Sequence, residues 1–248
     1  MPAIDLVAAA LPWRVARVVA VTAETESART IGLVVPGWAG HLAGQHIDVK
    51  LTAEDGYSAQ RSYSLSRPAE GDRVEVTVQE LAGGEVSPYL VGMRPGELIE
   101  LRGPIGGWFV WRPTDDESRV LLVAGGSGIV PLMAMLRQRM LAGSAEFRLV
   151  YSVRTPADVY YAQELSRLAR DHAWLQVTVI HTRVAAPGAG RAPGRIGAGD
   201  LVPDWRPGSD LRVYVCGPAG FVESVTTALV GQGHHPTAIR TERFGPSG

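Results

Sequence analysis

The sequence predicts two domains: an antiparallel β-barrel over residues 1–112, followed by an α/β domain with a parallel sheet over residues 113–248. Three observations support this fold class. The chain has 248 residues, which is enough for two hydrophobic cores of ordinary size. Its first half carries short apolar segments at regular spacing, separated by Gly, Pro and acidic clusters. Its second half alternates strand-like and helix-like segments, which indicates a parallel sheet covered on both faces.

The first domain is expected to contain about six strands and one short helix. The helix is expected over residues 87–91, where Ser87 suits an N-cap and Pro88 the first helical position. The predicted strands cover residues 13–21, 29–35, 45–51, 61–66, 73–79 and 98–102.

A polar stretch at residues 113–118 predicts a linker to the second domain. A Gly-, Pro-, Ala- and Arg-rich stretch at residues 185–199 predicts a mobile loop within that domain. The predicted strands of the second domain cover residues 120–124, 147–153, 175–181, 211–216 and 237–241, and the predicted helices 131–140, 156–170 and 221–232.

Composition excludes several classes of function. The formal net charge of −1 argues against a nucleic-acid partner, which usually requires a basic surface. Cys216 is the single cysteine, so residues 1–248 can form neither an internal disulfide nor a Cys-ligated iron–sulfur cluster. The six histidines show no metal-ligand spacing, and we assign no metal. The apolar run at residues 6–11 is too short for a signal or a membrane span, which favours a cytoplasmic protein.

The segment Arg61-Ser-Tyr-Ser64 is the first candidate binding motif. Alternation along a strand places Arg61 and Tyr63 on one face and the two serines on the other. An arginine beside an aromatic ring suits a diphosphate attached to a planar ring system. By itself, the tetrapeptide rather favours an ordinary strand with a surface arginine and a half-buried tyrosine, because short motifs often match by accident.

A second motif, Gly125-Gly-Ser-Gly-Ile-Val-Pro131, follows a predicted strand and opens a helix. It departs from the dehydrogenase pattern G-x-G-x-x-G because Val130-Pro131 replaces the third glycine. The physical logic of that pattern still applies, since small residues expose backbone N–H groups at a helix N-terminus that favours anions. The alternative is a tight strand-to-helix turn without a ligand.

The order of the motifs along the chain is more specific than any one of them. Between the two motifs lie a Gly-Gly-Glu-Val-Ser segment at 83–87 and a Gly-Pro-Ile-Gly segment at 103–106. After them come Val-Cys-Gly-Pro at 215–218 and Glu-Arg-Phe-Gly at 242–245. This series resembles the ferredoxin–NADP reductase superfamily over residues 13–248. The resemblance implies bound FAD and a pyridine nucleotide, and therefore a flavoprotein oxidoreductase.

The resemblance also implies roles for individual residues at the flavin. Arg61 would bind the pyrophosphate, Tyr63 would pack against the flavin and ribityl group, and Ser64 would hydrogen-bond near flavin N5. Glu242 and Phe244 would supply a carboxylate and an aromatic ring near the flavin. The remaining residues of the implied flavin site are Ser62, Gly84, Val86 and Ser87.

At the nucleotide site, the resemblance implies that Cys216 approaches the nicotinamide. We expect it to position the ring rather than act as a nucleophile, because no neighbouring histidine marks it as an activated thiolate. The alternative is a buried structural cysteine. The implied catalytic residues are therefore Ser64, Cys216 and Glu242, and the other residues of the nucleotide site are Gly126, Ser127, Gly128, Gly217 and Pro218.

The coenzyme preference depends on the charges at the strand ends. Arginines suit the 2′-phosphate of NADPH, whereas an acidic residue suits the ribose hydroxyls of NADH. Asp158 alone favours NADH, and each arginine could instead be a solvated surface residue. We expect NADPH to be preferred, with NADH possible. The residues that would recognise the 2′-phosphate are Ser152, Arg154, Arg183 and Arg195.

The implied reaction is hydride transfer from NADPH to flavin N5, followed by electron transfer to a separate acceptor. That acceptor could be a ferredoxin, a haem or molybdenum oxidoreductase, or a small molecule. The alternatives are a regulatory flavoprotein subunit that mainly docks on a larger enzyme complex, and a two-domain binding protein without catalysis.

Overall fold

The computed structural model describes residues 11–113, 118–201, 205, 207–208 and 210–245. Most of the predicted linker, the apolar run at 6–11 except Leu11, and the tail at 246–248 lie outside the described residues. The chain divides into two compact units. One comprises Met1–Arg112 with Met133–Gln138, and the other comprises Pro113–Leu132 with Arg139–Gly248.

The first unit contains an antiparallel sheet of six strands and one short helix. The sheet order is β4-β3-β6-β1-β2-β5. Leu65, just beyond β4, forms an antiparallel bridge with Val76 in β5, and this contact closes the sheet into a barrel. The elements are β1 (Arg14–Ala23), β2 (Ala28–Val34), β3 (His46–Thr52), β4 (Ser58–Ser64), β5 (Arg73–Gln79), α1 (Ser87–Gly92) and β6 (Leu98–Ile105).

The barrel interior is filled by the inward-facing residues of each strand. In β1, Ala16 and Val18 are fully buried, whereas Val15, next to Ala16 on the opposite face of the strand, is exposed. This alternation is expected for a sheet with one face on the core. The core contains mainly Val, Ile and Leu, joined by Trp38 and Met93. In this barrel, β4 lies at the protein surface and is held there by its neighbours, through pairing with β3 and the bridge to β5.

The second unit contains a parallel sheet of five strands in the order β11-β10-β7-β8-β9. The two-domain fold class predicted from the sequence is confirmed. The elements are β7 (Arg119–Gly125), α2 (Ile129–Leu141), β8 (Glu146–Val153), α3 (Ala162–Asp171), β9 (Leu175–His181), β10 (Leu211–Pro218), α4 (Ala219–Gly231) and β11 (Ile239–Phe244).

The prediction of a single helix over residues 156–170 is wrong. The structure has a 3-10 turn at Pro156–Asp158, an interruption, and then α3. The Asp158 carboxylate accepts hydrogen bonds from both the backbone N–H and the hydroxyl of Thr155, each at 2.8 Å, and so closes the short turn. Tyr161 then adopts a left-handed conformation, with φ at 55°, which restarts the chain in a new direction.

Two other boundaries differ from the predictions. The N-cap of α1 is Val86 rather than Ser87, which is the first residue of the helix. The last strand begins at Ile239 instead of 237, because Pro236–Ala238 forms a 3-10 turn in which His235 accepts a hydrogen bond from the Thr237 N–H. The terminal segment through Phe244 is consequently part of the sheet.

Candidate functional site

The parallel sheet changes direction between β7 and β10. From β7 the chain builds outward through β8 and β9, and it then returns to place β10 and β11 on the other side. Such a switch point leaves a crevice outside the carboxyl ends of the two central strands, where open α/β sheets bind ligands. In this chain, the residues that follow or end these strands include Gly126, Ser127, Gly128, Cys216, Gly217 and Pro218.

The turn after β7 has the features of a phosphate-binding turn. Gly126 has φ at 55°, and a Cβ added there would meet no atom within 4 Å, so this position faces open space. The turn Gly126–Gly128 has no side chain capping its N-terminus, and it leads directly into the 13-residue helix α2. Uncapped N–H groups and the helix dipole both favour an anion. The turn therefore fits a dinucleotide phosphate.

Gly128 fixes the turn against the end of β10. A Cβ at this position would overlap the Cys216 carbonyl oxygen and would lie 2.5 Å from the Cys216 carbonyl carbon. It would also lie 2.9 Å from the Gly217 nitrogen. Only a residue without a side chain allows this approach. Two of the sequence-predicted segments, the glycine turn and Cys216-Gly217, are thus brought together by the structure.

Phe221 is a residue of this site that sequence analysis missed. A Cβ added at Gly125 would lie 2.8 Å from Cδ1 of its ring, and a Cβ added at Gly217 would lie 2.7 Å from the same atom. The ring therefore occupies the space that side chains at both glycines would need. The available signal was a phenylalanine three residues after Cys-Gly-Pro, at the start of a helix.

Cys216 and Glu242 are paired neighbours on β10 and β11. Cys216 is fully buried, and its burial together with the negative charge of Glu242 raises the pKa of the thiol well above its usual range. The thiol is protonated at neutral pH, as expected for a positioning rather than a nucleophilic role. Burial raises the pKa of Glu242 to about 7, so this carboxyl group is poised between its two protonation states. Phe244 is opposite Pro218 on the same strand pair.

The residues predicted to recognise a 2′-phosphate lie at the carboxyl ends of β8 and β9. The backbone N–H of Arg183 donates to the Arg154 carbonyl at 2.9 Å, so the two arginines are adjacent. Both are exposed, and within the described part of the chain neither guanidinium group has a hydrogen bond or an ion pair. Ser152 is buried at the end of β8 beside Gly125.

Arg195 is held near the same end of the sheet by the loop that precedes it. The Gly194 N–H donates to the His181 carbonyl at the end of β9, at 3.0 Å. Arg191 braces the loop through two hydrogen bonds to the Asp200 carboxylate, at 2.9 and 3.0 Å. Asp158, the residue that favoured NADH, uses a carboxylate oxygen to bind Thr155 within its own turn.

In the first unit, the Arg61 side chain lies on the surface of β4. It is 59% exposed, and its Nη2 atom is 4.0 Å from the carboxylate of Glu85, which also accepts a hydrogen bond from the Tyr57 hydroxyl at 2.9 Å. An exposed pair at this distance contributes little to stability. Its Nη1 atom also donates to the Gln60 carbonyl at 2.7 Å. The other N–H groups of this exposed guanidinium can bind a stronger anion such as a diphosphate, which fits FAD.

Tyr63 is half-buried, and its ring contacts the barrel core. Burial raises the pKa of its phenol to about 12, so the hydroxyl stays protonated and can donate a hydrogen bond. Ser64 ends β4 opposite His46. Ser62 is directed elsewhere, because its hydroxyl donates to the Asp48 carboxylate at 2.6 Å.

The segment that precedes α1 is compact and internally bonded. Gly83 has φ at 76°, and a Cβ at Gly84 would lie 3.0 Å from the Leu81 carbonyl oxygen. The Ser87 hydroxyl accepts a hydrogen bond from the Leu81 N–H at 3.0 Å, which fixes the loop around the glycines. Val86 is buried in the barrel core. This arrangement keeps the glycine backbone close to the start of the helix.

The described residues contain neither a candidate metal cluster nor a helix that could span a membrane. No cluster of three or more His, Cys, Asp or Glu side chains with the geometry to hold a metal ion is found in that part of the chain. No helix formed by those residues combines the length and the apolar character needed to cross a bilayer.

Two domain families match the sequence. Residues 16–110 match the oxidoreductase FAD-binding domain, and residues 122–227 match the oxidoreductase NAD-binding domain. Among curated relatives, an NADPH oxidoreductase of Mycobacterium tuberculosis is 33% identical over 93% of this chain and 60% of its own length. The ferredoxin reductase component of 3-ketosteroid-9-alpha-monooxygenase from Mycolicibacterium smegmatis is 31% identical over 92% and 64%.

Solved structures show the same architecture. The flavohem-like FAD/NAD binding domain of a nitric oxide dioxygenase from Vibrio cholerae has a TM-score of 0.81 at 26% identity, covering 94% of this chain and 99% of that domain. The Amycolatopsis cytochrome P450 reductase GcoB has a TM-score of 0.83 at 26% identity, covering 96% and 71%.

The chain spans between about half and two thirds of the length of the curated relatives that it matches. The matched families follow each other in the order that the motifs predicted, and each lies on the corresponding sheet of the structure. The chain therefore belongs to the ferredoxin–NADP reductase superfamily, with an FAD-binding domain followed by an NAD-binding domain.

Proposed function

We propose that the protein is an FAD-dependent NAD(P)H oxidoreductase that prefers NADPH and delivers electrons to a separate acceptor. The observation that carries this proposal is the glycine turn seated on Cys216 at the switch point, with Glu242 on the neighbouring strand. When bound, FAD supplies the redox chemistry, accepting reducing equivalents from the nicotinamide and passing electrons onward. The protein contributes binding, orientation and electrostatics.

On the flavin domain, the exposed Arg61 guanidinium binds the pyrophosphate by charge-assisted hydrogen bonds. The Tyr63 ring packs against the flavin and ribityl group, and the Ser64 hydroxyl donates near flavin N5. The loop of Gly84, Val86 and Ser87 presents its backbone to the same pyrophosphate. We propose Arg112 as the last residue of this domain, consistent with the compact unit that ends there.

On the nucleotide domain, the N–H groups of Gly126, Ser127 and Gly128 face the nucleotide phosphates. Cys216, with Gly217 and Pro218, forms the wall against which the nicotinamide lies, since its protonated thiol adds no charge there. Glu242 holds or releases a proton near neutral pH at its buried carboxyl group, and Phe244 supplies an aromatic ring beside it.

The preference for NADPH follows from the charges at the ends of β8 and β9. Arg154 and Arg183 are adjacent, exposed and without side-chain partners in the described part of the chain, and Arg195 follows a residue bonded to β9. The competing acidic residue, Asp158, binds Thr155. A cluster of arginines without a nearby unpaired acid favours the extra phosphate of NADPH.

The electron acceptor is proposed from chemistry and from the relatives. Cys216 is the single cysteine, so residues 1–248 cannot hold a Cys-ligated cluster. Among the relatives are reductase components of an oxygenase and of an aromatic O-demethylase. A ferredoxin or a haem or molybdenum oxidoreductase is therefore the proposed class of acceptor.

The flavin assignment is tested by absorbance. Purified or FAD-reconstituted protein should be yellow and should bleach under anaerobic conditions when NADPH is added. The Ser64→Ala variant should slow the bleaching more than it weakens FAD retention, because its hydroxyl acts at the redox edge. Protein that cannot take up FAD would overturn the proposed function, and an unchanged bleaching rate would remove Ser64 from the mechanism.

The coenzyme assignment is tested by substitution at the strand ends. Arg154→Ala and Arg183→Ala should each weaken NADPH binding about tenfold, because each removes a charge-assisted hydrogen bond to phosphate. NADH binding should change by less than about twofold. Arg167→Ala is the matched control, since Arg167 is an exposed arginine of α3. Equal losses for both coenzymes would contradict the assignment.

A further inference from the structure

Strand β4, which carries the proposed flavin motif, has a weak position in the barrel sheet. It lies at one end of the strand order and pairs along its length only with β3. Its contact with β5 is the isolated bridge at Leu65, beyond its end, so one row of the β4 backbone groups has no regular partner strand and β4 is held less firmly than the central strands. A cofactor held by side chains of such a strand requires another means of fixing its position.

The Asp48 carboxylate provides that means. Asp48 lies in the middle of β3, is only 5% exposed, and stands opposite both Ser62 in β4 and Arg102 in β6. One oxygen accepts from the Ser62 hydroxyl at 2.6 Å. The other accepts from Gln60 Nε2 at 2.9 Å and from Arg102 Nε and Nη2, each at 3.0 Å. A single buried charge thus joins three neighbouring strands of the sheet, β4, β3 and β6.

The surroundings of this cluster strengthen it. The Trp13 ring covers the cations beside it, with Arg102 4.9 Å and Lys50 4.6 Å from the ring centroid. Partial exclusion of water increases the strength of the charge-assisted bonds beneath the ring. The Asp48 charge is matched by Arg102, so the pair avoids the cost of an isolated buried charge.

The geometry of β4 connects this cluster to the flavin motif. Side chains alternate along a strand, so Gln60 and Ser62 lie on one face while Arg61 and Tyr63 lie on the other. The bond from Ser62 to Asp48 therefore fixes the backbone between Arg61 and Tyr63, the two residues that are proposed to bind the cofactor. The Ser62 hydroxyl is engaged in this bond, so its contribution to the cofactor site is to hold the strand.

We infer that Asp48 is a positioning residue for FAD, acting through Ser62 and Gln60 to hold the strand that presents Arg61 and Tyr63. This inference rests on the proposed function. A purely structural cluster would contribute only to unfolding free energy. A positioning cluster also sets the affinity and the environment of the flavin.

The test compares variants on the same face of the barrel. Ser62→Ala removes the tie to β4 and keeps the Asp48–Arg102 pair, whereas Asp48→Asn weakens the whole cluster. Glu100→Gln is the matched control, because it breaks the Lys50–Glu100 ion pair at 3.1 Å, which joins β3 to β6 without touching β4. FAD affinity is measured by titrating apoprotein, and unfolding free energy by urea.

Ser62→Ala should raise the FAD dissociation constant about fivefold, corresponding to one hydrogen bond, and Asp48→Asn should raise it more than tenfold. Both should change the visible circular dichroism of the bound flavin, and Ser62→Thr should restore the affinity. Glu100→Gln should lower the unfolding free energy by up to about 1 kcal/mol while leaving flavin affinity and spectrum unchanged.

Flavin affinity that stays within twofold of wild type in both variants, or that falls in the control as it does in Ser62→Ala, would overturn the inference alone. Wild-type apoprotein that takes up no FAD would instead overturn the proposed function and the inference with it. Ser62→Ala decides the question if Asp48→Asn fails to fold.

Discussion

Replacing Gly128 with alanine should damage the nucleotide site far more than replacing Gly126. The added Cβ would overlap the Cys216 carbonyl oxygen and lie 2.5 Å from its carbon, although real Cβ atoms essentially never approach other atoms closer than 3.0 Å. The turn must therefore move away from β10 by at least about 0.5 Å, since backbone atoms cannot interpenetrate. Overpacking of this kind costs about 1–3 kcal/mol.

Gly126→Ala is the matched comparison. Its Cβ would meet nothing within 4 Å, so only the left-handed backbone, with φ at 55°, opposes the change. That penalty is about 1 kcal/mol and leaves the contact with β10 intact. Gly128→Ala should therefore lower the unfolding free energy further and should weaken NADPH binding more than tenfold, because it displaces the phosphate-binding N–H groups.

Urea unfolding and NADPH titration measure the two effects separately, while FAD affinity serves as an internal control on the other domain. Gly128→Ala should retain wild-type FAD affinity. If Gly128→Ala and Gly126→Ala unfold at the same urea concentration and bind NADPH equally well, the close seat of the turn on Cys216 does not shape the site, and the reasoning fails.

Two further predictions concern pH. Burial raises the pKa of Glu242 to about 7 from 4.5, so the native state holds its proton more tightly and stability falls as pH rises between these values. Glu242→Gln should match wild type near pH 4.5 and exceed its unfolding free energy by up to about 3 kcal/mol at pH 8; a difference independent of pH would contradict this. Burial lowers the pKa of His41, whose Nδ1 accepts a hydrogen bond from Trp38 Nε1 at 3.0 Å. The folded state therefore favours the neutral imidazole. The stability that this hydrogen bond contributes is present above pH 6.5 and is lost as the pH falls. Trp38→Phe should cost about 1 kcal/mol more at pH 8 than at pH 5, measured by urea unfolding, because the lost packing is the same at both values and only the hydrogen bond depends on pH; an equal cost at both values would refute the assignment.

The sequence was sufficient for the features that depend on local pattern. Alternating apolar residues located the barrel strands, and the span 73–79 agrees with β5 at both ends. Glycine spacing located the turn after β7, because only small residues combine a left-handed backbone with exposed N–H groups. The broken helix at Tyr161 was missed, since its periodicity continued across a turn that Asp158 closes.

Features that depend on register between distant strands could not be predicted. In the sequence, Asp48 is one polar residue of a predicted strand. Its partner Arg102 is 54 positions away, and only the folded sheet aligns the two. Phe221 was likewise predicted only as the start of a helix. Its contact with Gly125 requires β7 and β10 to be adjacent, which the sequence does not show. These contacts arise from the topology of the sheets. A single sequence predicts the fold class but not which residues of distant strands lie opposite each other.

The ring of Phe221 makes three positions of the chain interdependent. Alanine at Gly125 or Gly217 is blocked by the same atom, Cδ1 of that ring, so each substitution should be harmful while phenylalanine is present. A smaller residue at 221 would remove the nearest obstacle, although a Cβ at Gly217 would still lie 3.3 Å from the Gly125 backbone. The combined harm of a change at 221 and an alanine at either glycine should therefore be less than the sum of the two separate effects. Evolution of this site is therefore expected to proceed by epistatic steps, in which the helix residue changes first and the glycines become free to vary afterwards.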